Sequence, residues 1–166
     1  MSDDLTQPLS EIVQQLADRL LDKKLILSTA ESCTGGGISQ ALTALAGSSA
    51  WFDSGFVTYS YEAKQQMLNV PAALLAADGP GAVSEPVVLA MTAGAIANSR
   101  ANLAVAVSGI AGPDGGSKEK PVGTVWIAWQ WEDKSLARCF SFSGDREAVR
   151  QATVRAALEG CLLLID

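Results

Sequence analysis

Two apolar runs that each lead into a glycine-rich loop constrain the fold of this 166-residue chain more than any other feature. The run KLIL precedes STAESCTGGG, and the run LAVAV precedes SGIAGPDGGSKEKPVG. Such runs are typical of buried strands in α/β domains, which bind ligands at the carboxyl ends of their strands. Neither loop contains the G-x-x-x-x-G-K-[ST] or G-x-G-x-x-G motif of nucleotide-binding loops. We call residues 31–37 the first glycine loop and residues 108–123 the second glycine loop.

Hydrophobic periodicity predicts the other elements of the chain. Apolar residues at helical spacing, with Ser10 as the N-cap, indicate a first helix. Ser84 as an N-cap and Pro86 in the first turn indicate a helix that runs to about Arg100. We predict helices over 9–22, 38–46, 61–69, 84–100 and 144–165, strands over 24–30, 56–60, 103–109, 124–131 and 135–142, and a loop over 47–55.

The order of these elements mixes helix-crossed strands with one hairpin at the turn EDK. This order predicts an α/β domain whose mixed sheet is covered by helices. The length is that of one domain, and no repeat or linker divides it. We therefore expect a single domain over residues 1–166.

Composition argues against several classes of function. The net charge is −6 without a cluster of Lys and Arg, so we expect no nucleic-acid partner, because a phosphate backbone requires a basic surface. No apolar run approaches the roughly 20 residues that span a bilayer, so we expect no membrane association. The three cysteines match no zinc or disulfide pattern and nothing resembles a signal peptide, which predicts a cytoplasmic protein without a metal site.

The absence of histidine limits the chemistry further. It removes Ser-His-Asp triads, Cys-His pairs and His-containing metal sites, so a hydrolase of this composition needs Lys, Tyr or a carboxylate as its base. Ser32 and Cys33 are candidate nucleophiles, and Lys64 is a candidate base if burial lowers its pKa toward neutrality. The alternatives are structural: Cys33 is a buried apolar residue and Lys64 a solvated helix residue.

Two further sets of residues fit either a binding or a structural role. Arg146 and Arg150 lie one helical turn apart, where they either face a phosphate together or form a solvated stripe. Trp126, Trp129 and Trp131 either stack on a heterocycle or belong to the core or an interface. The aromatic positions of these last strands lead us to expect a homodimer.

The motifs AESCTGG, AGSSAWF, GFVTYS, EAK, GAVSEPVV, SGIAGPDGGS, KPVGTV and FSGDR resemble the C-terminal domain family of the competence/damage-inducible CinA proteins, in its stand-alone form. The active members of that family are nicotinamide-nucleotide amidohydrolases. The resemblance implies a three-layer α/β/α sandwich that hydrolyses nicotinamide mononucleotide to nicotinic acid mononucleotide and ammonia, without metal or organic cofactor. The expected partner is therefore a small-molecule nucleotide substrate.

The resemblance also implies roles for individual residues. Ser32 corresponds to the nucleophile and Lys64 to the base, with Tyr59 close to both. The amides of CTGG would stabilise an oxyanion, and the motif SGIAG with Arg146 would hold the phosphoribosyl part of the substrate. The implied binding residues are Thr34, Gly35, Gly36, Ser108, Gly109, Ile110, Ala111, Gly112 and Arg146.

One position departs from the family pattern. The usual sequence NEAK reads YEAK here, so Tyr61 replaces an asparagine. If the phenol faces the pocket, it changes access to the substrate site. Two alternatives follow: a catalytically silent paralogue that binds a nucleotide, and an amidase that acts on a different small amide.

Overall fold

A computed structural model describes residues 7–166, so the first six residues of the domain predicted over 1–166 lie outside the described residues. The helices are α1 (Leu9–Lys23), α2 (Gly37–Thr43), α3 (Tyr61–Leu68), α4 (Ala72–Leu75), α5 (Glu85–Ala97) and α6 (Arg146–Ile165). The strands are β1 (Leu27–Glu31), β2 (Phe52–Val57), β3 (Leu103–Gly109), β4 (Thr124–Trp131) and β5 (Lys134–Ser141).

The strands form one mixed sheet in the order β2-β1-β3-β4-β5. β1 pairs in parallel with both β2 and β3, whereas β4 pairs antiparallel with β3 and with β5. Parallel strands need a crossover connection, which α2 supplies from β1 to β2, and α3 to α5 supply from β2 to β3 on the other side of β1. The predicted α/β class with a mixed sheet is confirmed.

Alternate side chains of β3 pack against two different helical layers. Leu103, Val105 and Val107 belong to the core shared with α1, α2 and α6. Ala104 and Ala106 belong to the core on the opposite face, which α5 covers. Because successive residues of a strand point to opposite faces, both faces of the sheet are buried and the expected α/β/α layers are confirmed.

The two glycine loops leave the sheet at the same edge. Glu31 at the end of β1 pairs with Val107 near the end of β3. In parallel strands the carboxyl ends point the same way, so this register brings Ser32 and Ser108 to neighbouring positions. The fold thus places both predicted loops around one region.

The prediction for 56–60 is wrong in its bounds, because β2 begins at Phe52 within the segment 47–55 that the sequence assigned to a loop. Gly55 makes this segment resemble a turn. In the strand, however, a Cβ at Gly55 would collide with the Ser39 hydroxyl of α2, so the glycine permits close packing.

The C-terminal end of α5 also differs from the prediction. The helix ends at Ala97 rather than near Arg100. The side chain of Asn98 donates hydrogen bonds to the Met67 carbonyl at 2.7 Å and to Asn69 Oδ1 at 2.9 Å. These contacts hold the end of α5 against the end of α3, and the chain then continues into β3.

The predicted N-caps differ in detail. Pro8, not Ser10, occupies the N-cap of α1. Ser84 occupies the N-cap of α5 as predicted, but its hydroxyl donates to the Gly81 carbonyl at 2.6 Å instead of capping the helix. The local loop therefore competes successfully for this side chain.

Other predicted bounds shift by a few residues. α6 begins at Arg146 rather than at 144, because the Asp145 carboxylate accepts from the Ala148 N–H at 2.9 Å and caps the helix. β1 begins at Leu27 rather than at 24, because Lys24 has a left-handed backbone (φ 56°) that ends α1. α2 ends three residues before the predicted 46. Within residues 7–166, none of the helices has the length and hydropathy needed to span a membrane.

Candidate active site

Ser32 and Lys64 meet where β1 ends. Ser32 follows β1 directly, and Lys64 lies early in α3, which follows the neighbouring strand β2. Because β1 and β2 run parallel, their carboxyl ends lie at the same edge of the sheet. The start of α3, which follows β2, therefore lies near the end of β1. The distance between Lys64 Nζ and Ser32 Oγ is 3.0 Å. The structure therefore brings the two predicted catalytic residues into hydrogen-bond contact.

Lys64 has lost almost all contact with solvent. Its exposed fraction is 1%, and Nζ lies 2.7 Å from the Thr58 carbonyl and 3.2 Å from the Tyr59 carbonyl. Burial lowers the pKa of the Lys64 side chain from 10.5 to about 8. In the neutral amine the two carbonyls can accept both N–H bonds, which leaves the nitrogen lone pair for the hydroxyl proton of Ser32.

Glu31 fixes the first glycine loop from inside the protein. Its fully buried carboxylate accepts hydrogen bonds from Thr34 Oγ1 at 2.7 Å and from the Ile38 and Ser39 N–H groups at 2.8 and 3.0 Å. The hydroxyls of Ser39 and Thr29 donate to it as well, at 2.8 and 3.3 Å. Sequence reasoning missed this anchoring role, although an acidic residue just before a glycine turn and a helix start is its signal.

Cys33 has the environment of a structural residue. Its side chain is buried, and burial raises the pKa of the thiol to about 11. A thiol with this pKa stays protonated near neutral pH and is a poor nucleophile. Of the two interpretations left open by the sequence, the structure favours the buried apolar one.

Tyr59 and Arg146 connect the segment after β2 to the second glycine loop. The Tyr59 carbonyl accepts from Lys64, while its exposed phenol accepts from Arg146 Nη2 at 3.3 Å. Arg146 Nη1 donates to the Gly112 carbonyl of the second glycine loop at 2.8 Å. The guanidinium therefore links the segment after β2 to the second glycine loop.

Arg146 and Arg150 bind different parts of the backbone. Arg150 Nε donates to the Cys33 carbonyl at 3.0 Å, and its Nη2 donates to the Thr34 carbonyl at 3.2 Å. These bonds direct Arg150 to the first glycine loop and Arg146 to the second. Arg146 is exposed to solvent while it holds the second glycine loop, and Arg150 is half-buried against the first.

A cavity of about 270 Å³ opens beside Ser32 and Lys64. Most of the predicted site residues line it, namely Ser32, Tyr59, Lys64, Ser108, Gly109, Ile110, Ala111, Gly112 and Arg146. Sequence reasoning did not single out four further lining residues, which are Ala82, Val83, Asp114 and Gly115. The motifs GAVSEPVV and SGIAGPDGGS contain all four, so the motif boundaries were their signal.

Thr34, Gly35 and Gly36 do not line this cavity. The Thr34 hydroxyl donates to Glu31, and the Gly35 N–H donates to the Ser32 carbonyl at 3.0 Å. Their contribution to substrate binding stays a prediction.

The structure places the tryptophans and the cysteine and acidic side chains as follows. Trp129 is a core residue whose indole N–H donates to the Ala157 carbonyl of α6 at 2.8 Å. Trp126 and Trp131 are half-buried. In the part of the chain that the structure describes, no group of three or more Cys, Asp or Glu side chains could hold a metal ion.

Comparison with known proteins gives one consistent result. The family model described as the CinA C-terminal domain matches residues 9–165. A nicotinamide-nucleotide amidohydrolase, PncC, from Pseudomonas putida is 52% identical over 95% of this chain and 97% of its own length. The protein with the same description from Escherichia coli (strain K12) is 51% identical over 91% of each chain.

Solved structures extend this likeness to the fold. The competence/damage inducible protein CihA from Agrobacterium tumefaciens has a TM-score of 0.91 and 46% identity, over 95% of this chain and 96% of the other. A CinA superfamily protein from Klebsiella pneumoniae has a TM-score of 0.90 and 40% identity, over 96% and 98%.

Proposed function

Because the chain belongs to the CinA C-terminal domain family, we propose that it is a nicotinamide-nucleotide amidohydrolase that converts nicotinamide mononucleotide to nicotinic acid mononucleotide and ammonia. The observation that carries the mechanism is the 3.0 Å contact between Ser32 Oγ and a lysine amine that is withdrawn from water. In a chain without histidine, this pair supplies both a nucleophile and a base.

The first half of the proposed reaction forms an acyl-enzyme. Ser32 Oγ attacks the amide carbon of nicotinamide while Lys64 Nζ takes the hydroxyl proton. The tetrahedral intermediate then collapses, the C–N bond breaks, and the Lys64 ammonium gives its proton to the leaving nitrogen, which departs as ammonia. Ser32 remains bound to the nicotinoyl group as an ester.

The second half releases the acid. Lys64 takes a proton from a water molecule whose oxygen attacks the ester carbon, and the proton returns to Ser32 Oγ when the C–O bond to the enzyme breaks. Because Lys64 alternates between the two protonation states, a pKa of about 8 matches its task near neutral pH.

The cavity also contains hydrogen-bond donors that suit the phosphoribosyl part of the substrate. Arg146 provides a permanent positive charge in the lining of the cavity, where a phosphate or the ribose hydroxyls can accept its hydrogen bonds. Residues 108–112 line the same cavity, and the Gly112 carbonyl accepts from Arg146. We assign these lining residues to the phosphoribosyl part of the substrate.

Tyr61 supports a second candidate function. Its side chain lines the cavity and is 49% exposed. A phenol at the entrance can restrict the nucleotide, which would leave a protein that binds without turnover or an amidase with another small substrate. Tyr61→Asn distinguishes these cases, because it raises ammonia release from nicotinamide mononucleotide only if the phenol obstructs it.

We also propose that the chain works as one catalytic domain and forms a homodimer. β5 is an edge strand of the sheet whose residues are mostly exposed, including Leu136. An exposed edge strand is a common place for pairing with a second copy. Light scattering on the purified protein measures the mass, and a monomer at micromolar concentration contradicts the dimer.

Ammonia release from nicotinamide mononucleotide tests the proposed function directly. We expect release by the wild-type protein and none above background by Ser32→Ala, together with one nicotinic acid mononucleotide per ammonia. Cys33→Ala is the matched control, because it changes the neighbouring residue and leaves the dyad intact. Binding of the nucleotide without release contradicts the proposal and favours the silent alternative.

A further inference from the structure

Arg150 contacts the two residues that directly follow the nucleophile. From the second turn of α6 it donates to the carbonyls of Cys33 and Thr34, residues 117 and 116 positions away in the sequence. Arg150 does not line the cavity beside Ser32 and Lys64. It does line a neighbouring cavity, which shares Ala111 and Arg146 with the first. Its contacts next to the nucleophile are with the backbone of the first glycine loop.

These two bonds determine how the peptide groups of the loop are oriented. In a planar trans peptide the carbonyl and the N–H point in opposite directions. The bond from Arg150 to the Cys33 carbonyl therefore turns the Thr34 N–H away from Arg150. Glu31 holds the same turn on another side through the Thr34 hydroxyl.

The Thr34 N–H, two residues after the nucleophile, has no protein partner. Across residues 7–166 it donates to no protein acceptor, whereas the Cys33 N–H interacts with its own thiol and the Gly35 N–H donates to the Ser32 carbonyl. A free, oriented amide beside a nucleophilic serine is suited to stabilise the oxyanion that forms in acyl transfer. A carbonyl that accepts from a cation also polarises its peptide, which strengthens the N–H of the same group as a donor.

Cys33 lines the cavity beside Ser32 and Lys64, and the peptide that joins it to Thr34 lies directly behind that wall. We propose that Arg150 is a positioning residue that orients the Cys33–Thr34 peptide so that its N–H stabilises the oxyanion formed when Ser32 attacks the substrate amide. This inference rests on the proposed function. Arg150 touches no reacting atom and carries no proton. Arginine suits the task because its rigid fork spans two successive carbonyls, whereas a lysine ammonium is a single point of attachment.

Arg155 provides a matched control on the same helix. It donates to the backbone carbonyl of Gln7 at 2.7 Å and pairs with Glu159, away from the dyad. Arg155→Gln removes a positive charge and an arginine-to-carbonyl bond from α6, as Arg150→Gln does. A lower kcat in Arg150→Gln than in Arg155→Gln is therefore due to the lost contacts with the first glycine loop and not to the loss of an arginine from α6.

Steady-state kinetics with nicotinamide mononucleotide tests the proposal. For Arg150→Gln we expect kcat to fall about 10- to 100-fold, with KM within about twofold of the wild type, because the lost interaction forms only in the transition state. Arg150→Lys should lose less, and Arg155→Gln should keep its kcat. The apparent pKa of the rate should stay near 8, since burial and not Arg150 lowers the pKa of Lys64.

Two results would overturn the proposal. An unchanged kcat in Arg150→Gln shows that Arg150 only tethers α6, and a raised KM with unchanged kcat shows that it binds substrate. If Arg150→Gln does not fold, Arg150→Lys replaces it. A lowered kcat at unchanged KM then supports the proposal, and a kcat equal to that of the wild type contradicts it.

The rate at which a fluorophosphonate labels Ser32 separates this inference from the proposed function. Labelling needs the nucleophile, the base and the oxyanion donors, but not the nucleotide. If the wild type is labelled but releases no ammonia, the proposed substrate is wrong, and slower labelling of Arg150→Gln than of Arg155→Gln still supports the positioning role. Equal labelling of the two variants, or no labelling of the wild type, contradicts it.

Discussion

The two glycine loops leave the same edge of the sheet but are held in different ways. In the first glycine loop, Ser32, Cys33 and Thr34 are all buried, and the charged groups of Glu31 and Arg150 bind its backbone and side chains. In the second glycine loop, residues 113–119 are exposed. Its base is closed by the backbone bond from the Gly123 N–H to the Ile110 carbonyl at 2.7 Å.

This difference suits the first glycine loop to the reaction and the second glycine loop to substrate binding. Hydrogen bonds to charged partners contribute about 1.5 to 3 kcal/mol each, so the first glycine loop is the more rigid of the two. Rigid placement benefits a nucleophile, whose geometry decides the rate. An exposed loop adapts to a ligand. Substitution of the polar groups that react in the first glycine loop or anchor it should therefore change kcat, and substitution of those that hold the second should change KM.

The largest expected effect is the loss of turnover in Ser32→Ala and Lys64→Arg. Each should lower kcat by about 10⁴-fold or more, because a Ser-Lys pair acts as a unit and a guanidinium cannot accept the serine proton. Circular dichroism should show an intact fold in both. Lys64→Met should still bind the nucleotide. An active Lys64→Arg variant contradicts Lys64 as the base and directs attention to Tyr59, Glu31 or a bound water.

Glu31→Gln should have the next largest effect, on both stability and rate. An amide nitrogen would face donors that now bind a carboxylate, so we expect the free energy of unfolding to fall by about 2 to 4 kcal/mol. The misaligned loop should also lower kcat. Urea denaturation and ammonia release measure the two effects. Glu85→Gln, in the exposed first turn of α5, is the control and should change neither.

Arg146→Gln should raise KM for nicotinamide mononucleotide about 10- to 100-fold, which corresponds to one lost charge-assisted hydrogen bond. The value of kcat should change far less. Arg155→Gln on the same helix removes the same charge from a residue that does not line the cavity and should leave both constants unchanged. If Arg146→Gln lowers kcat at constant KM, the division of labour between the two loops is wrong.

Cys33→Ala should have the smallest effect. The variant removes a buried sulfur atom, which costs about 1 kcal/mol of stability, and it leaves the dyad and both carbonyl contacts of Arg150 in place. We expect kcat within about threefold of the wild type, given that truncating a side chain that the chemistry does not use changes transition-state stabilisation little. An inactive Cys33→Ala together with an active Ser32→Ala replaces the serine mechanism with a thiol mechanism.

Apolar strands before glycine loops predicted the α/β class and the mixed sheet, because that information is local in the sequence. The residue types alone gave Ser32 and Lys64 as candidates, and the resemblance to the CinA family implied most of the other residues that line the cavity. The contacts of Glu31 and Arg150 were missed because they depend on packing: Arg150 lies more than a hundred residues from the carbonyls that it binds. The start of β2 was missed because Gly55, which resembles a turn residue, serves the approach of α2.

The pH dependence of kcat/KM tests the central claim that neutral Lys64 accepts the Ser32 proton. Because only the deprotonated amine accepts, kcat/KM should rise with pH through an apparent pKa near 8 and then reach a plateau. Cys33→Ala should show the same profile, since burial holds the pKa of that thiol at about 11. A profile that is flat from about pH 6.5 to about pH 10, or that rises only near the ordinary lysine pKa of about 10.4, contradicts the account.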